Sequence, residues 1–220
     1  FVFLGTGARM KVNFKKTASE FLFSAPFMIY KLVDSAALNQ KLITESYEWK
    51  KQDLGQKNSN FGNSWHSPAT LLTRDEPGFR QITQCIPMVA ANYVKELNPK
   101  IKINEFNFNA NAWININGTG GYNTTHHHGE FHISGVYYVK QPSKAQGRSG
   151  MIEFINSRFD NHIHEEIGTN AFAPKVNFRP KEGEMIVFPS TLLHSVYPNE
   201  TNDDRISLAW NLKFLSKNRK

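Results

Sequence analysis

Residues 123–139 read NTTHHHGEFHISGVYYV, with four histidines between His126 and His132. Imidazole nitrogens are good ligands for divalent iron and zinc. A metal site needs ligands that converge, and alternate residues of a strand share a face. His126 and His128 have that spacing, just ahead of an apolar strand-like run, while His127 points the other way. Neighbours alone close a coordination sphere poorly, so a third ligand is expected from a distant element. His194, in FPSTLLHSV after a strand and the turn at Pro189, is the candidate. Adjacent histidines are also common on solvated surfaces, so the triplet alone does not establish a site. His66, His132, His162 and His164 have weaker claims. His162 and His164 share the alternate spacing but fall in the polar stretch SRFDNHIHEEIGTN, which reads as a surface loop.

A second group lies downstream in HSVYPNETNDDRISLAWN. In a strand there, Arg205 and Ser207 share a face with Ala209 and Asn211. The opposite face carries Ile206, Leu208, Trp210 and Leu212, an apolar set that reads as core. An inward arginine is costly unless it meets an anion. A guanidinium beside a hydroxyl suits a carboxylate held through two hydrogen bonds. The alternative is that Arg205 pairs with Asp203, Asp204 or a surface carboxylate. Its coupling to H-x-H and a downstream histidine favours a ligand site.

The elements that must position these groups differ between the two halves. Phe21–Lys31 reads as an opening strand interrupted at Pro26, and residues 32–50 as a helix with Leu32, Ala36, Leu38, Leu42 and Ile43 at helical spacing. GQKNSNFGNSW is loop-like. Residues 79–97 read as a second helix with a boundary or kink at Pro87. After residue 100 the period becomes two. Phe106, Phe108, Ala110, Ala112, Ile114 and Ile116 take one face of a strand. Asn107, Asn109, Asn111, Trp113 and Asn115 take the other, polar enough to line a cavity. ISGVYYV, GMIEFI, GEMIVFP and RISLAWNLKFL follow as further strands. Helices followed by antiparallel strands imply an α+β, mainly β fold: a jelly-roll or barrel backed by N-terminal helices.

The 220 residues, with 40% hydrophobic and 13% aromatic content, describe a globular chain able to bury a core without staples. Cys85 is the one cysteine, so no disulfide closes within the chain, which suits a reducing compartment. Apolar runs are far shorter than a membrane span, and no signal-peptide pattern follows FVFLG. The net charge of +7 reads as a solvated surface with basic ends. Attraction to nucleic acid is the alternative, but no nucleic-acid motif accompanies it. Met10 is a candidate start, with residues 1–9 upstream sequence. Residues 10–220 are expected to form one domain, helix-rich over 10–100 with a β core over 101–216.

The ordered set of motifs resembles the iron(II)- and 2-oxoglutarate-dependent oxygenases. It is most similar to small oxygenases of bacteria and tailed phages related to prolyl hydroxylases. The matching residues are Trp113, Asn115, Asn123, His126, His128, Ser134 to Tyr138, Phe188 to Ser190, His194, Arg205 and Ser207, with NSWHS at 63–67 as an upstream segment. The resemblance implies a double-stranded β-helix with Fe(II) held by His126, His128 and His194. It also implies 2-oxoglutarate bound through Arg205, Ser207 and Tyr138, and O₂ as co-substrate. The product would be a hydroxylated peptidyl proline or small metabolite, with succinate and CO₂ released, in a bacterial or phage-infected cytoplasm. The wider superfamily uses two histidines and a carboxylate. Here the carboxylate position is His128, and Glu130 is the alternative ligand that would restore it. Asn115, Asn123 and Asn211 are candidate cavity liners or partners of the ligand rings. A three-histidine zinc hydrolase and a non-catalytic cupin-like metal-binding module are the competing readings.

Overall fold

The computed structural model describes residues 25–157 and 173–217. The first strand, β1 (Met28–Lys31), is followed by helix α1 (Ala36–Gln52), two short strands β2 (Asn60–Phe61) and β3 (Ser64–His66), and helices α2 (Pro77–Thr83) and α3 (Cys85–Leu97). Among the described residues eight strands follow: β4 (Phe106–Asn117), β5 (Tyr122–His126), β6 (Ile133–Lys140), β7 (Ile152–Ile155), β8 (Lys175–Phe178), β9 (Glu184–Pro189), β10 (Leu193–Val196) and β11 (Arg205–Ser216). They form two sheets, one ordered β1-β9-β6-β11-β4-β3 and the other β2-β5-β10-β7-β8. The pairings between these strands are antiparallel.

The strict alternation along β4 and β11 explains the layering. Ile114 and Ile116 of β4, with Leu208 and Trp210 of β11, leave one face of the larger sheet and pack on Leu42, Phe79 and Ile86 of the helices. Burying one such side chain stabilises the fold by about 1.5–3 kcal/mol. The opposite face of the same strands, with Trp113 and Ala209, joins Val136, Phe154, Phe188 and Val196 between the two sheets. The site lies in that second layer.

The helices end where local chemistry says they should. Pro77 opens α2, and the Glu45 carboxylate of α1 accepts hydrogen bonds from the N–H groups of Gly78 and Phe79, both at 2.8 Å. This satisfies two donors that a helix N-terminus leaves free. The expected helix over 79–97 is two helices that meet at Gln84. Pro87 falls in the first turn of α3, where its missing N–H costs no intrahelical bond. The stretch read as loop contains β2 and the first two residues of β3. The expected opening strand is seen from Met28; its part before residue 25, like His162 and His164, lies outside the described residues. Among the described residues no helix is long and apolar enough to cross a membrane.

Candidate functional site

His126 ends β5, directly opposite His194 of β10. Cross-strand neighbours of this kind hold their side chains within about 5.5 Å. His128 does not share the strand with His126, contrary to the spacing argument. It lies just beyond β5, where its N–H donates to the Ser190 carbonyl at 2.7 Å and its own carbonyl accepts from Phe131 at 3.0 Å. That tether turns its ring back beside the other two. Ring centroids are 4.3 Å apart for His126–His194, 5.0 Å for His126–His128 and 5.3 Å for His128–His194. One ring nitrogen from each lies within 4.8 Å of the others.

Backbone carbonyls fix two of these rings. His126 Nδ1 bonds the Thr124 carbonyl at 2.7 Å, and His194 Nδ1 bonds the Leu192 carbonyl at 2.9 Å. A carbonyl only accepts, so each Nδ1 carries the proton and each Nε2 keeps its lone pair for a metal. The Ser59 hydroxyl touches His126 Nε2 at 3.4 Å, a long contact that an ion would displace. Burial, then the neighbouring rings, lower His128 to about 4 and His194 to about 3, and burial also lowers His126. All three are neutral near pH 7, the form a metal needs. His127 is exposed, its Nδ1 accepting from the Gly129 N–H at 3.0 Å. Glu130 is exposed and outside the cluster. His132 Nδ1 accepts from the Phe214 N–H at 3.3 Å.

The histidines face a cavity of about 850 Å³ between the sheets. Arg205 lines its other end and is 2% exposed. Its Nη1 donates to Ser207 Oγ at 3.2 Å, its Nε has no partner, and the guanidinium lies 5.2 Å over the Tyr138 ring. The Tyr138 hydroxyl and Asn115 Oδ1 are also buried without a partner. Register explains the grouping, since Ser207 pairs with Asn115 on one side and Tyr138 on the other. The two aspartates beside Arg205 in sequence are engaged elsewhere. Asp203 bonds Lys140, and Asp204 accepts from the Tyr47 hydroxyl at 2.8 Å. Among the described residues no carboxylate neutralises Arg205. Burial disfavours its charge, and an unpaired buried cation is costly. Unsatisfied donors around a guanidinium therefore fit a bound carboxylate, and one ring nitrogen from each of the three neutral histidines fits a divalent ion.

The asparagines play other parts than orienting the His126 and His194 rings. Asn211 Oδ1 accepts from Ser134 at 2.7 Å, and its Nδ2 donates to Asn111 Oδ1 at 3.2 Å. Asn123 Oδ1 accepts from Asn117 Nδ2 at 3.3 Å. His66 is a cavity residue given little weight from the sequence. Its ring stacks on Trp113 at 5.3 Å, and its Nδ1 bonds the Ser67 carbonyl at 2.6 Å. Only its place in NSWHS hinted at this, because β3 brings it to the site through pairing with β4.

Residues 111–211 match the family described as "Putative 2OG-Fe(II) oxygenase". That segment contains the three histidines, Tyr138, Arg205 and Ser207. No curated protein matches the sequence. Among solved structures, a prolyl-4-hydroxylase from Pseudomonas putida superposes with a TM-score of 0.59 at 13% identity, covering 86% of this chain and 93% of that one. A Trichoplax adhaerens prolyl hydroxylase, solved with a peptide fragment of the hypoxia inducible factor oxygen degradation domain, gives 0.59 at 12%, covering 85% and 83%. HygX from Streptomyces hygroscopicus, solved with nickel and 2-oxoglutarate, gives 0.59 at 13%, covering 86% and 82%. At these identities the likeness establishes the fold, the double-stranded β-helix.

Proposed function

We infer that this chain is an iron(II)- and 2-oxoglutarate-dependent oxygenase, a reading supported by the family match over residues 111–211 and by the fold, and that it holds iron with His126, His128 and His194 and 2-oxoglutarate with Arg205, Ser207 and Tyr138. The observation that carries this assignment is the buried Arg205 without a carboxylate, across one cavity from three neutral histidines. When bound, iron and 2-oxoglutarate supply the oxidising chemistry: one O₂ converts the 2-oxo acid to succinate and CO₂ and leaves one oxygen atom for a substrate C–H bond.

The chain's own residues bind, orient and keep water out. Arg205 anchors the far carboxylate of the co-substrate, with Ser207 holding one arm of its guanidinium. The Tyr138 hydroxyl adds a donor. Trp113, Val136 and Ala209 form an apolar row across the sheet, between the Ser207 row and the Asn211 row. That row excludes water from the reacting centre and strengthens the electrostatic contacts inside it. Backbone bonds to the His126 and His194 Nδ1 atoms keep those rings aimed. In this reading residues 10–220 are a single oxygenase domain, and the substrate is a peptidyl proline or a small metabolite.

The test is succinate formation from 2-oxoglutarate with Fe(II) and O₂, repeated with chelator and with Arg205→Leu. Succinate should form in wild type and fall to background in both controls. Activity that survives without O₂ and prefers zinc would instead support the hydrolase reading.

A further inference from the structure

The cavity-side face of β4 carries asparagine at all but one position: Asn107, Asn109, Asn111, Asn115 and Asn117, with Trp113 between them. Asparagine is disfavoured in strands, so this ladder is a cost to the sheet. Its outer end projects past the barrel. Strand β6 pairs with β11 only as far as Leu212 opposite Ile133, whereas β4 and β11 continue to Phe106 opposite Ser216. The overhang exposes Asn107, Asn109 and Lys213. Asn109 and Lys213 face each other in register. They form one wall of a groove of about 460 Å³, and the segment Gly129–His132 forms the other. The groove and the cavity share Gly129, Glu130 and Phe131 in their walls, so the two are adjacent. Lys213 and Glu130 have no ion-pair partner among the described residues.

We propose that this groove is a subsite for an extended polypeptide, with Lys213 reading an acidic side chain of the substrate near the residue that enters the cavity. The proposal rests on the oxygenase reading and narrows its substrate to a polypeptide. An asparagine amide offers both donor and acceptor, matching the N–H and C=O of a peptide bond. A carbohydrate chain would call for broad aromatic platforms, and this groove has only Phe131 and the smaller His132 ring among its lining. A nucleic-acid strand would call for several cations, and here one lysine faces one glutamate. From Asn211 at the cavity to Lys213 is roughly 7 Å at the strand rise of ~3.4 Å per residue, about two residues of extended peptide.

The experiment incubates the iron-loaded protein, 2-oxoglutarate and O₂ with degenerate decapeptide and tripeptide libraries and reads the gain of one oxygen atom by mass. Succinate formed without peptide, measured alongside, reports the oxygenase reading separately. Decapeptides should gain oxygen only when 2-oxoglutarate is present, with aspartate or glutamate enriched at one fixed offset. Tripeptides should react more weakly by roughly tenfold, as expected for losing a hydrogen bond to a charged group. Lys213→Glu should move the enrichment to lysine or arginine at the same offset while peptide-free succinate stays unchanged. The proposal is overturned by any of three results with succinate formation intact: no oxidised decapeptide, equal reaction of tripeptides, or an unaltered preference in Lys213→Glu. Absence of succinate overturns the oxygenase reading beneath it.

Discussion

His194 is the least exposed of the three clustered histidines and the one supplied by a distant strand. Its loss leaves two rings and should reduce bound metal sharply. The same holds for His126→Ala. His127→Ala and Glu130→Ala, which change exposed residues outside the cluster, should retain metal. Metal content after dialysis against Fe(II) or Co(II) checks this, and loss of metal in Glu130→Ala alone would return the carboxylate to the ligand set. Proton competition gives a second outcome for the metal-free protein. An unfolded histidine titrates near 6.5, whereas burial holds folded His128 at about 4 and His194 at about 3. Between those values the unfolded chain binds protons that the folded chain refuses. Stability is therefore unaffected above the unfolded pKa and falls as pH drops below it, by about 1.4 kcal/mol per pH unit for each such group. Urea midpoints of chelator-treated protein between pH 7.5 and 5.5 should decline, and more shallowly in His194→Leu. A wild-type profile that is flat or rises on acidification sinks this account. The residues brought together here were legible from residue type and motif order, His126 and His128 beside SGVYY and Arg205 two positions before Ser207, although the shared strand inferred for the two histidines was not found. Asn111 was legible from the alternation of its strand, but His66 was not, since pairing between separate strands decides which cavity it faces.

Among the elements, β6 shows why a glycine interrupts an otherwise bulky strand. A Cβ on Gly135 would lie 2.3 Å from two ring carbons of Trp210, a side chain with no exposed surface. Gly135 pairs directly with Trp210 across the β6–β11 ladder, so the indole occupies the space a side chain would fill. The ring is rigid and enclosed, so Gly135→Ala should destabilise the fold by about 1–3 kcal/mol through overpacking. The urea midpoint should fall with little change in slope, and unchanged stability would show that the ring has room to move. The long strands β4 and β11 could be read from alternation, and β6 and β9 from short apolar runs, because both faces of the latter meet core. The short strands β2, β3, β5 and β10 could not. Two to five residues rich in Asn, Ser, Thr and His carry too little periodicity, and it is neighbouring strands that hold them extended. The break at Gln84 was invisible for a related reason. Both helices bury apolar residues on the same side, and only Glu45, contributed by α1, marks where α2 begins.

For the whole molecule, an unpaired guanidinium ties folding to ligand. Arg205 lines the cavity, 2% exposed, with the Ser207 and Tyr138 hydroxyls beside its guanidinium and no carboxylate paired with it among the described residues. The net charge of +7 makes one more uncompensated cation harder to hold. In the absence of 2-oxoglutarate, Arg205→Leu should therefore be at least as stable as wild type, and more stable by about 1 kcal/mol if the apolar side chain packs well. Co-substrate should reverse that order. A ligand that binds only the folded state stabilises it by about 2.7 kcal/mol at a hundredfold excess over its dissociation constant. For a domain of this size that corresponds to roughly 5–10 °C in melting temperature. Metal-loaded wild type should show this rise with 2-oxoglutarate, and Arg205→Leu should show almost none while keeping its metal. Arg205→Lys keeps the charge but loses the planar fork that grips a carboxylate through two bonds, so its rise should be intermediate. Thermal melts of the three proteins, each with and without 2-oxoglutarate at equal metal content, separate the cost of the buried charge from the gain on pairing it. A full rise in Arg205→Leu would place the co-substrate elsewhere and leave the orphaned guanidinium without a role.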